Sequence, residues 1–149
     1  MAIMLKEITE DNWIACIKLQ VSDDQRGFVA SNLFSLAESK FHSWLVPQGI
    51  YNDDTMVGFT MWGPNPDDPP GEYWIMRLMV DQQYQKRGYG CAAMEILLEH
   101  LRATPGCTAI LLSFEPHNSV AQALYEKLGF RVTGEIYDGE LVMRLDLKT

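Results

Sequence analysis

Short apolar runs bounded by turn residues alternate along this chain with stretches whose apolar residues recur every three to four positions. That is the pattern of strands alternating with helices. Residues 4–8 read as a first strand. Thr9, Glu10, Asp11 and Asn12 offer capping side chains, and Trp13, Cys16, Ile17 and Gln20 follow at helical spacing, so a helix is predicted to about Val21. Ser22-Asp23-Asp24-Gln25-Arg26-Gly27 breaks it, and a second helix is predicted from Ser31 to about Phe41, with Phe34, Ala37 and Phe41 on one face. Two strands, 47–51 and 56–62, flank the turn residues Asn52-Asp53-Asp54-Thr55 as a hairpin. Residues 63–72, with four prolines and two glycines, form a loop carrying three acids and no base.

The second half repeats the alternation more strongly. Residues 73–80 read as a central strand that carries one charge, Arg77, which needs a partner or a wet edge. Met94, Leu97, Leu98 and Leu101 define a helix over about 90–103, and 107–114 is a near-continuous apolar strand, the pattern of burial on both faces. Asn118 is placed to cap a helix carrying Ala121, Leu124, Tyr125 and Leu128, and Gly129 ends it. Asp138-Gly139 joins strands at 130–135 and 141–147 as a hairpin. The order β-α-α-β-β-β-α-β-α-β-β predicts a layered α/β fold with a mixed sheet. No repeat, low-complexity tract or linker divides it, so residues 1–149 are expected to form one domain.

Composition narrows the class. A chain of 149 residues is long enough to bury about 68–70% of its unfolded surface. Its 47% apolar and 21% charged content is that of an ordinary soluble protein. No apolar run approaches the ~20 residues of a membrane span, and Met1-Ala2-Ile3-Met4-Leu5-Lys6-Glu7 lacks the charged start of a secretory signal. Three cysteines, Cys16, Cys91 and Cys107, are odd in number and never spaced Cys-x-x-Cys. This argues against a disulfide framework or a metal site and for the cytoplasm. A net charge of −8 excludes nucleic acid as the expected partner and favours a cationic small molecule.

One stretch concentrates chemistry. After Leu78-Met79-Val80 come a polar loop with Lys86 and Arg87, the turn Gly88-Tyr89-Gly90, and a helix start. Free amides at a helix N-terminus, glycines that admit close approach, and two cations make a phosphate site. Gly88-x-Gly90-x-x-Ala93 also matches a dinucleotide fingerprint, with Glu115 about 25 residues on. Against that reading, a polar loop separates strand from glycines, and only 34 residues follow Glu115. Cys91 lies at the helix start, where a thiol pKa can fall; the reading preferred here is a small packing residue rather than a nucleophile.

Gln85-x-x-Gly88-x-Gly90, followed by Asn118-x-x-Ala121-x-x-Leu124-Tyr125-x-x-x-Gly129-Phe130, resembles the paired motifs of the GNAT family of N-acetyltransferases. The resemblance implies a GNAT-like layered fold: a mixed, mostly antiparallel sheet with helices on both faces. It also implies acetyl-CoA as co-substrate, lying between strands that end at Val80 and Phe114 and splay apart. Leu78, Met79 and Val80 would hold the pantetheine arm. The loop Gln85, Lys86, Arg87, Gly88, Tyr89, Gly90, with Cys91 at the helix start, would hold the pyrophosphate. Asn118 and Ala121 would contact the cofactor arm, and Tyr125 would serve the leaving thiolate.

Amide formation also needs a neutral amine. At pH 7 an alkylammonium with pKa near 10.4 is neutral in about one molecule in 2,500, a cost of roughly 4.6 kcal/mol, so a base or water chain must take its proton. Glu115, Glu72 and His117 are candidates. Some family members carry a carboxylate in the strand before the glycine loop, or five residues before the asparagine. This chain has Ile75-Met76-Arg77 and Ser113 there, which implies a water-relayed proton path and leaves the base open among these candidates; Tyr125 and Glu115 are the expected catalytic residues.

Asp11-Asn12-Trp13, Phe28-Val29-Ala30-Ser31-Asn32, Gly49-Ile50-Tyr51 and Met56-Val57-Gly58-Phe59 resemble bacterial spermine/spermidine N-acetyltransferases. That resemblance implies a polyamine substrate, with Asp23, Asp24 and Glu72 as ammonium docking points and a homodimer by analogy. The alternatives are another amine, such as an aminoglycoside or a protein N-terminus, and a non-catalytic acyl-CoA-binding sensor.

Overall fold

The period-two stretches become strands and the 3.6-period stretches helices in the predicted order. The computed structural model describes residues 2–23 and 30–147. Strand β1 (Ile3–Glu7) leads to helix α1 (Trp13–Lys18) and helix α2 (Asn32–Phe41). Strands β2 (Val46–Asn52), β3 (Thr55–Gly63) and β4 (Glu72–Val80) follow, then α3 (Tyr89–Arg102), β5 (Ala109–Phe114), α4 (Ser119–Lys127), β6 (Arg131–Tyr137) and β7 (Glu140–Asp146). The strands form one sheet in the order β1-β2-β3-β4-β5-β7-β6. Every pairing is antiparallel except β4 with β5.

Apolar layers form on both faces. On one, Met94, Leu97, Leu98 and Leu101 of α3 pack with Ile75, Ile110, Leu112 and Met143 of the sheet. Tyr125 of α4 joins the same cluster, with Phe114 and Phe130. On the other face, Cys16 of α1 packs with Phe59, Met61 and Met79. Burying each large side chain contributes roughly 1.5–3 kcal/mol, so Leu97→Ala in α3 is the kind of change this layer tolerates least. Among the described residues, no helix is long and apolar enough to cross a membrane.

Helix α2 corrects an expectation. The stripe Phe34, Ala37, Phe41 faces outward, with Phe34 59% and Phe41 80% exposed, while Asn32 and Ser35 are buried. The buried side chains have partners: Asn32 Nδ2 donates to the Cys16 carbonyl at 2.9 Å, and Ser35 Oγ accepts from Arg77 Nε at 3.1 Å. Leu36 packs against the Cys16–Met79 layer, and these hydrogen bonds turn the polar side of the helix inward with it.

The feature that positions chemistry is a split in the sheet. Strand β4 pairs with β5 only from Glu72–Ala109 to Ile75–Leu112. Beyond Ile75 it keeps β3 on one side, while β5 keeps β7 as far as Phe114–Leu141. The β3–β4 register shifts here, from Trp62–Ile75 to Met61–Arg77, so Met76 is an extra residue. Such a bulge bends a strand and increases its twist, which carries the end of β4 away from β5. Asp81 N donates to the Val57 carbonyl at 2.8 Å. The alternation of an antiparallel ladder then directs the backbone groups of Arg77 and Met79 toward β3 and those of Leu78 and Val80 toward the split.

Candidate active site

The split opens into a cavity of about 810 Å³. Its β4 wall is backbone-rich. Leu78, Met79 and Val80 line it, then Gln85 and Lys86, then Gly88, Tyr89 and Gly90. Gln85 Nε2 donates to the Val80 carbonyl at 3.0 Å, which ties the loop to the strand end. Gly88 is the N-cap of α3 at φ 83°, the left-handed region that glycine reaches without strain. A Cβ there would meet nothing within 4 Å, so the space beside it is open. No side chain caps α3, which leaves its first N–H groups free for an anion. Lys86, also left-handed at φ 65°, stands beside them with its charge exposed.

The opposite wall is made of side chains. Tyr125 is 9% exposed, lines the cavity, and lies edge-on to Phe114 with centroids 6.4 Å apart. Burial, and after it the charge of Glu140, pushes its phenol up to about 12. The hydroxyl therefore stays protonated through neutral pH. Ser113, the first β5 residue past the split, donates from Oγ to Glu140 Oε1 at 2.7 Å. Asn118 caps α4, its side chain accepting from Ala121 N at 3.2 Å, and both residues line the cavity. Glu115, half-buried, also lines the cavity, and one of its carboxylate oxygens accepts from His117 N at 2.8 Å. Asp138 and Tyr137 complete this wall, and the Tyr137 ring lies 5.4 Å from that of Trp74. Trp74 also lines the cavity, and its buried indole N–H has no acceptor among the described residues.

A third side comes from α2. Arg77 finds the partner its strand position required: Nη2 meets Glu38 Oε1 at 3.1 Å, Nε reaches Ser35, and Nη1 donates to the Met76 carbonyl at 2.9 Å. Glu38, Phe34 and Arg77 all line the cavity. Burying Arg77 without Glu38 would leave an uncompensated charge, so the pair holds α2 against β4.

Several sequence expectations need correcting. Glu72 does not line the cavity; it sits at the far end of β4 with its carboxylate 2.7 Å from Arg144 Nη1, a structural ion pair. Hydrogen bonds from Glu72 and then Asp146 raise the Arg144 pKa further. Arg87 is not among the lining residues; its guanidinium stands 5.7 Å above the ring of Tyr84, which does line the cavity. Cys91 is also outside the cavity lining; its thiol lies 3.6 Å from Glu95, and burial, then Glu95, raise its pKa rather than lower it. Tyr89 reaches the cavity, but its side chain is buried with Ile50 and Val57, and its hydroxyl accepts from Asn52 Nδ2 at 3.0 Å. Asp23 is not among the lining residues, and Asp24 lies outside the described residues. His117 is exposed and does not line the cavity.

Glu38 and Glu140 were missed. Arg77 inside an apolar strand signalled that an acid must approach, but nothing local named Glu38. Glu140 reaches Ser113 only because β7 pairs with β5, a contact between residues 27 apart.

Comparisons with known proteins agree with this geometry. Residues 4–130 match the family described as Acetyltransferase (GNAT) family. The chain is 34% identical over 152 aligned residues to a spermine/spermidine N(1)-acetyltransferase of Bacillus subtilis, covering 99% of this chain and 100% of the relative. Among solved structures, an aminoglycoside acetyltransferase in complex with coenzyme A superposes with a TM-score of 0.80 at 18% identity, covering 97% of this chain and 95% of the other. The PaiA N-acetyltransferase of Thermoplasma acidophilum in complex with coenzyme A gives 0.73 at 15% identity, covering 98% and 99%. At those identities the structures speak for the fold.

Proposed function

Since this chain belongs to the GNAT family of acetyltransferases and is an N-acetyltransferase, we propose that it moves the acetyl group of acetyl-CoA to a primary amine of a polyamine such as spermidine or spermine. The observation that carries the polyamine reading is the charge of the side-chain wall. Glu115, Asp138 and Glu140 all line the cavity, and none of the three forms an ion pair among the described residues. An extended polycation meets unneutralised carboxylates there, and the overall charge of −8 draws it in. The Bacillus relative named for spermine and spermidine supports the same substrate class.

Acetyl-CoA fits the backbone wall. The split-facing backbone groups of Leu78 and the amide of Val80 suit the amides of a pantetheine arm, and the uncapped start of α3 with Lys86 suits the pyrophosphate. Bound there, acetyl-CoA supplies an acyl thioester at the split. Tyr125 then faces the departing sulfur. Full proton transfer from a phenol near 12 to a thiolate near 8.5 is uphill by about 5 kcal/mol. Tyr125 therefore acts as a hydrogen-bond donor to the charge that develops, which is the stronger use of a neutral, buried hydroxyl.

The test is steady-state acetyl transfer to spermine, spermidine, a monoamine and an aminoglycoside, read as thiol release. A polyamine is expected to win by at least tenfold in kcat/KM, about 1.4 kcal/mol. Preference for the aminoglycoside, or acetyl-CoA binding with no amine turned over, would overturn the proposal.

A further inference from the structure

The reaction needs a group that strips a proton from the incoming ammonium, and the sequence candidates supply it poorly. Glu72 is held by Arg144 away from the cavity, and His117 is exposed outside it. Glu115 keeps one oxygen on the His117 amide in the turn after β5. Glu38 is tied to Arg77. Glu140 differs from all four. It comes from β7 at the end of the Asp138-Gly139 hairpin, and it lines the same cavity as Tyr125. Ser113, at the mouth of the split, fixes Oε1 at 2.7 Å and leaves Oε2 with no partner among the described residues. Glu140 precedes Leu141, the ladder partner of Phe114, and the Phe114 ring lies 6.4 Å from that of Tyr125, so Glu140 and Tyr125 share one wall of the cavity. An attacking nitrogen and a leaving sulfur sit on the same carbon, so the acceptor of the amine proton must lie close to the group that serves the sulfur.

We propose that Glu140, held by Ser113, is the catalytic carboxylate that takes the proton from the substrate ammonium. This rests on the acetyl-transfer reading above and adds a residue to it. The ammonium gives its first proton to Glu140, which later passes it to water. The neutral nitrogen bonds to the thioester carbon, and the carbon–sulfur bond breaks. The thiolate leaves hydrogen-bonded to Tyr125 and is neutralised by the second nitrogen proton, released as the amide forms. The products are the amide, the free thiol and one proton to solvent. Ser113 of β5 contacts Glu140, and Glu115 beyond it, Tyr125 of α4, and Tyr137 and Asp138 of the hairpin line the same wall of the cavity.

The experiment compares wild type, Glu140→Gln, Ser113→Ala and Glu115→Gln with spermidine at pH 7 and 9.5, with acetyl-CoA binding and thermal unfolding measured on each. Glu140→Gln is expected to lower kcat at pH 7 by roughly 10²-fold or more. It should recover most of that loss at pH 9.5, where a far larger share of the amine is already neutral. Ser113→Ala should show a smaller loss, roughly tenfold, with the same recovery. A Glu140→Gln loss confined to KM would make the residue a docking point and overturn the proposal, as would a pH-recovered loss in Glu115→Gln instead. If wild type acetylates no amine, the functional reading fails. If wild type is active and folded Glu140→Gln keeps its kcat, only this inference fails.

Discussion

The two walls of the cleft present different kinds of atom. The β4–α3 wall offers backbone, and the β5–α4–β7 wall offers side chains. Their helix starts make the difference plain. Helix α3 begins at a left-handed glycine with no cap, so its amides remain available to a ligand. Helix α4 begins at Asn118, whose side-chain Oδ1 already takes the Ala121 amide. On the first wall, side-chain identity matters mainly where it bends the chain. On the second, the proposed chemistry depends on individual side-chain oxygens.

Substitutions can break that comparison. The largest effect is expected at Tyr125, where removing one hydroxyl should cut kcat by roughly 10²–10³-fold and leave acetyl-CoA binding near wild type. Loss of binding with kcat intact would place this residue on the wrong wall. The phenol also ties stability to pH. Because its folded pKa is raised, the contribution is complete below about pH 10 and is lost as pH rises through about 12. Alkaline unfolding curves should therefore be less steep across that window for Tyr125→Phe.

Next comes Gly88→Val. The new side chain meets open space but must adopt φ 83°, a cost of about 1–2 kcal/mol that rotates the amides. The KM for acetyl-CoA should rise at least tenfold with amine KM unchanged. Lys86→Ala should raise the same KM only a few-fold, and less at high salt, since its charge is exposed. The reverse ranking would mean that charge, not backbone, holds the phosphates. Smallest is Asn118→Ala, expected to cost about 1 kcal/mol of stability, or a fall in Tm of roughly 2–4 °C by thermal unfolding.

The backbone wall was legible in the sequence because it is local. Val80, Gln85, Gly88 and Gly90 are close neighbours, and a strand, a glycine turn and a helix start need no tertiary contact to be read. Tyr125 and Asn118 were legible through a motif of fixed spacing. Illegible were the groups brought in by pairing or by helix rotation. Glu140 depends on the register of β7 against β5. Glu38 depends on α2 turning its polar side inward, contrary to what Phe34, Ala37 and Phe41 imply. Glu72 was singled out by its charge and its place before the central strand, and neither says that Arg144 of β7 holds it away from the cavity.

The gap beyond Ile75 and Leu112 is in effect a sheet edge folded into the interior of the protein. A ligand arm with alternating donors and acceptors completes that edge, so occupancy should be visible as protection. Slowed hydrogen exchange at the Leu78 and Val80 amides, and an unfolding temperature that climbs with the logarithm of ligand concentration, follow from binding that exists only in the folded state. At a hundred times the dissociation constant the gain is about 2.7 kcal/mol. With acetyl-CoA in the split as proposed, the protein is expected to be sturdier when acetyl donor is plentiful and looser when it is scarce.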